Sequence, residues 1–113
     1  MQIEQYEQAL TTIAKSLRTC PNTKLLYTTT IPLASNITSD APGSSGFVNE
    51  DIWAYNAVAK KVMAAYSIPV MDFFAITNEH CGANFTSCDW HESHDTPMWK
   101  GLAEKMAPVI ASL

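Results

Sequence analysis

The chain has no run of basic residues, no apolar run near membrane-spanning length, and few glycines for its size. Its formal charge is −4, from 7 Lys and Arg against 11 Asp and Glu. Nucleic acid and anionic membranes are therefore poor partners for it, because both select clustered positive charge. The longest apolar stretches fall far short of the roughly 20 residues that span a bilayer. The first residues, MQIEQYEQ, lack the cationic and apolar pattern of a signal peptide. With 47% apolar and only 16% charged residues, 113 residues suffice for one domain, or part of one, with a modest core.

Cysteine is also scarce, with three in the chain. Cys81 and Cys88 are close enough to close a small loop, which leaves Cys20 odd. Two glycosylation-type triplets occur, Asn36-Ile37-Thr38 and Asn84-Phe85-Thr86. Together these incline the reading toward a secreted parent and an oxidising compartment.

Read in order, Ile3, Tyr6, Leu10, Ile13 and Leu17 recur at spacings of three and four, which predicts an amphipathic helix. Pro21-Asn22 breaks it. KLLYTTT, residues 24–30, is short, β-branched and aromatic, and reads as a buried strand. A polar stretch rich in Ser, Pro and Gly, from Leu33 to Gly46, reads as a surface loop. Asn49 is placed to cap a second helix, with Glu50 and Asp51 in its first turn. The buried face expected there is Ile52, Tyr55, Val58 or Ala59, Val62 and Tyr66.

IPVMDFF, residues 68–74, is a second continuous apolar run, the pattern of a strand covered on both faces. Thr96 as cap and Pro97 at the first helical position start a last helix carrying Leu102, Met106, Val109 and Ile110. Pro108 is expected to kink or fray it. The predicted class is α/β, in the order helix, strand, helix, strand, helix, with parallel strands joined by right-handed crossovers. Two strands make a thin sheet, so the pattern reads as half of a fold.

The chemistry gathers in CGANFTSCDWHESHDTPMW, residues 81–99, which holds two cysteines, two of three histidines, two aspartates and two tryptophans. Ligands in open α/β sheets sit beyond the carboxyl ends of strands, where this segment is expected. Cys81 and Cys88 allow a disulfide, a pair of free thiols, or a zinc set with His91 and His94 in the spacing C-x6-C-x2-H-x2-H. That spacing matches no familiar zinc finger. Trp90 and Trp99 are candidates for a cleft wall, with core packing the commoner fate. Asp72 and Asn56 read as braces for the backbone, and His80 as a solvated loop residue.

KLLYTTTIPL, WAYNAVAKKVMAAYSIPVMDFF and CDWHESHDTPMWKGLAEKMAPVI, following Glu4-Gln5-Tyr6 in that order, resemble the carboxyl-terminal half of SGNH (GDSL-type) hydrolases. The resemblance spans nearly all of residues 1–113. It implies a partial flavodoxin-like, three-layer α/β/α domain and a serine esterase acting on an acyl or acetyl ester, carbohydrate esters included. No metal or organic cofactor is implied. In this family a His just before the final helix is the general base toward a serine, and a nearby Asp orients it. By that pattern His94 is the base, with His91 the alternative, and Asp89 is the acid for either.

The family's Gly-Asp-Ser nucleophile block and its oxyanion donors precede the region matched. None of the nine serines sits in such a context. An amino-terminal half of the domain is the partner this resemblance implies. A non-catalytic remnant and a small zinc-stabilised interaction module are the competing readings.

Overall fold

The computed structural model describes residues 2–31, 49–82, 88, 90 and 96–113. Both sequons, the polar loop, Asp89, His91 and His94 lie outside the described residues. The elements are α1 (Ile3–Leu17), β1 (Tyr27–Thr28), α2 (Asn49–Ala65), β2 (Val70–Met71), α3 (Phe73–Cys81) and α4 (Thr96–Ala111).

The two strands pair in parallel, Tyr27 opposite Val70 and Thr28 opposite Met71. The ladder continues through Tyr27 N to Pro69 O at 3.0 Å and Thr29 N to Met71 O at 3.2 Å. Both strands are much shorter than the apolar runs that predicted them. The class is α/β with a small parallel sheet, as expected, but the order gains a helix.

That helix corrects the reading of residues 68–74 as one strand. Asp72 ends the strand because its side chain accepts the Ala75 amide at 3.0 Å, an N-cap that turns Phe73 and Phe74 into a first helical turn. Phe73, Ile76, Thr77 and Cys81 then face inward at helical spacing. Gly82, at φ 68°, stops the helix, and its amide donates to Asn78 O at 2.7 Å.

Residues in and just before the two strands alternate between two cores. Leu25, Tyr27 and Val70 pack with Ala14, Val62, Met63 and Ile68, beneath α1 and α2. Leu26 and Met71 pack with Phe73, Trp90, Met98 and Leu102, the side of α3 and α4. The period of two in a strand sends neighbours to opposite faces, so helices flank both faces of the pair.

The stripe expected on α1 is rotated. Ala14 is fully buried, whereas Ile13 is 52% and Leu17 40% exposed. A helix turns about 100° per residue, so packing centred on Leu10 and Ala14 swings Ile13 out. Glu7 also meets Lys61 of α2 at 2.7 Å. On α2 the inward residues are Ile52, Asn56, Ala59, Val62 and Met63, so Ala59 takes the place left open between it and Val58. Beyond α2, Ser67 adopts φ 56°, and Ile68 N reaches back to Met63 O at 2.9 Å. Arg18 holds this left-handed turn, donating to Tyr66 O at 2.7 Å and to Ser67 O.

In α4 the buried face is Met98 and Leu102, with Met106 and Val109 partly covered; Ile110 is half exposed, against expectation. The helix runs through Pro108 to Ala111. Pro108 lies so near the end that only the last turn is affected, and Ser112 N still reaches Pro108 O at 3.2 Å. No helix among the described residues is long and apolar enough to cross a membrane.

Candidate functional site

The carboxyl ends of both strands meet in a polar cluster. Thr29 Oγ1 donates to Asp72 Oδ1 at 2.9 Å and accepts the Phe74 amide at 3.1 Å. Lys60 of α2 closes an ion pair on Asp72 Oδ2. Burial would raise the Asp72 carboxyl, but hydrogen bonds from Lys60, the Ala75 amide and Thr29 outweigh it and hold its pKa below the usual carboxylate range. Asp72 thus braces the start of α3 against β1 and α2, in keeping with the bracing role expected for it.

Asn56 is likewise a brace. Its Oδ1 accepts Thr30 N at 3.0 Å and its Nδ2 donates to Thr30 O at 2.9 Å. The carboxamide thus imitates a neighbouring strand at the point where β1 leaves the sheet. Asn56 is 4% exposed whereas Thr30 is exposed, so the buried carboxamide ties the outgoing end of β1 to α2.

Further along, Cys81 and Cys88 form a disulfide, with Cα atoms 5.2 Å apart. Both sulfurs are consumed, which corrects the zinc reading that needed them as thiolates. Cys20 is an exposed free thiol. The disulfide ties the end of α3 to the segment entering α4, and the Trp90 amide points to Cys88 Sγ at 3.4 Å.

Trp90 is a core residue, 4% exposed, in one cluster with Met71, Phe73, Met98 and Leu102. Gly101 makes room for it. A Cβ there would overlap the indole, with Cη2 only 2.9 Å and Cε2 3.1 Å away. On its other side His80 stacks on Trp90, with ring centroids 3.9 Å apart and planes inclined by 12°. His80 therefore belongs to α3 and to this stack rather than to a loop, and it is exposed to solvent as expected. Trp99 is half exposed on α4.

Sequence reasoning missed the Gly101–Trp90 fit, the Lys60–Asp72 pair and α3 itself. Only α3 carried a local signal, a capping Asp and a stopping Gly ten residues apart. The structure anchors Cys88 and Trp90, which flank Asp89 in the chain, close to the end of β2. Asp89, His91 and His94 themselves are outside the described residues. No family model, curated protein or solved structure matches this chain.

Proposed function

We propose that this chain is the carboxyl-terminal part of an SGNH-type ester hydrolase, acting on an acyl or acetyl ester, carbohydrate esters included. His94 is the general base, with His91 as the alternative, and Asp89 orients it. The full domain is a flavodoxin-like three-layer fold, of which these two strands and their flanking helices are one half. An amino-terminal half supplies the nucleophile and oxyanion donors.

The observation that carries this reading is the fixing of Cys88 and Trp90, the chain neighbours of Asp89. Cys88 is held by its disulfide to Cys81, and both Cys88 and Trp90 pack in the cluster that contains Met71, the last residue of β2. A general base works only when it is held within hydrogen-bond reach of the nucleophile, and fixed residues at this point of the chain support that reading. The helices on both faces of a parallel pair also fit the lineage.

The test is hydrolysis of 4-nitrophenyl acetate by the chain joined to an amino-terminal segment containing a Gly-Asp-Ser block, beside His91→Ala and His94→Ala. The expected result is turnover in the joined protein that falls about 10³-fold or more in one histidine variant only. Equal turnover in both variants, or none in the joined protein once folded, favours a non-catalytic remnant.

A further inference from the structure

The polar cluster at the strand ends opens into a cleft of about 400 Å³ between α2 and the first turns of α3. Small-molecule sites typically occupy about 300–1,000 Å³. One wall is a single face of α2, where Trp53, Asn56, Ala57 and Lys60 recur at spacings of three and four. The facing wall is Phe74, Ala75 and Asn78. Ala57 and Ala75 are too small to fill the space between them.

We propose that this cleft is a saccharide site, with the Trp53 indole as the platform on which a pyranose ring stacks. Trp53 is 67% exposed, the most exposed large apolar side chain among the described residues. An indole left open beside polar groups offers a flat apolar face and an N–H donor together. The charges in the cleft, Lys60 and Asp72, are paired with each other, so a net anion or cation gains little there.

What remains available is neutral hydrogen bonding. Asn56 is spent on Thr30, but no described residue bonds the exposed Asn78 carboxamide, which has donors and an acceptor. Lys60 gives one of its three N–H groups to Asp72 and is half exposed. The complementary ligand has one apolar face, a rim of hydroxyls and no charge. A pyranose has that surface, through its axial C–H groups and its equatorial hydroxyls. This inference goes beyond the hydrolase reading, since binding needs neither His91 nor His94 and can be present where hydrolysis is not.

The experiment is a ¹H–¹⁵N titration of the full chain with methyl β-D-glucopyranoside, methyl β-D-xylopyranoside and methyl β-D-galactopyranoside, with sorbitol and adenosine as controls. At least one pyranoside should shift the Trp53 indole N–H and the Asn78 carboxamide saturably, with a millimolar Kd, and leave the Trp90 indole unmoved. Trp53→Ala should weaken binding about tenfold or more, Asn78→Ala severalfold, and Trp53→Phe should keep part of it. Trp53 and Asn78 are both exposed, and unchanged spectra elsewhere verify that the variants fold. The proposal is overturned if no pyranoside gives a saturable shift up to about 100 mM, if sorbitol or adenosine shifts the same resonances as strongly, or if either alanine variant binds undiminished.

Discussion

The two faces of the strand pair are built on different principles. Under α1 and α2 the buried core is small and non-aromatic, Ala14, Val62, Met63 and Ile68, with Tyr27 and Tyr66 only at its margin, and the fully buried Ala14 lets the two helices lie close. On the other face one large ring, Trp90, fills the space between α3 and α4, and a disulfide holds its segment in place. The first face depends on many modest contacts between two long helices. The second depends on one large indole with Phe73 in the same cluster, one glycine and one covalent link. Such a core is specific, and it is brittle.

The substitution expected to separate the faces most is Trp90→Ala, which should cost about 3–5 kcal/mol, against a total stability of about 5–15 kcal/mol for an ordinary domain. Urea unfolding followed by circular dichroism would measure it. A cost below about 1 kcal/mol would mean that Trp90 does not hold the second face together.

Next comes the covalent link. Replacing both Cys81 and Cys88 by Ser should cost about 2–3 kcal/mol, as expected for closing so short a loop. The loss should show first as increased hydrogen exchange around Trp90, with α1 and α2 little changed. Equal loosening on both faces would erase the contrast between them.

Gly101→Ala tests the same fit from the opposite side. Alanine is about 1 kcal/mol better than glycine within a helix, yet overpacking of the indole should make the change a net loss of about 1–2 kcal/mol. Stabilisation would show that Trp90 can move aside at little cost.

The strand ends join the two faces, and Asp72→Asn probes that joint. Losing the pair with Lys60 and weakening the α3 cap should cost about 1 kcal/mol at neutral pH. Because the folded pKa of Asp72 lies below its unfolded value, its contribution is complete above about pH 5 and is lost as pH falls through the folded value. The difference between the native protein and the variant should therefore shrink in acid. A constant difference from pH 7 to pH 2 would remove the charge from the explanation.

The smallest effect belongs to the first face. Ile13→Gln should change stability by less than about 0.5 kcal/mol, because Ile13 points outward. Ala14→Leu, one residue on, should cost about 1–3 kcal/mol by overpacking. Similar costs at both positions would contradict the rotated stripe.

Much of this was legible in the chain. Short spacing allowed the Cys81–Cys88 disulfide as one of three readings, of which the structure selected it, while the period of α1 and α2 and the two apolar strand segments followed from local pattern. So did the bracing roles of Asp72 and Asn56. The candidate base and acid remain a matter of resemblance, because Asp89, His91 and His94 are known only from their place in the sequence.

Periodicity by itself determined that α1, α2 and α4 are helices and which stripe of each is apolar, because those are properties of neighbouring residues; it did not fix the strand limits or reveal α3. It left open which part of a stripe is covered. Only the tertiary structure decided that α1 turns Ala14 inward and Ile13 outward, since that depends on where α2 approaches. It also decided how Asp72 is held where IPVMDFF divides: its cap on Ala75 is local, but Thr29 and Lys60, 43 and 12 residues earlier in the chain, fix the carboxylate in place. The meeting of Trp90 with Gly101 is of the same kind. A missing Cβ has no consequence in the sequence until another element brings a ring against it.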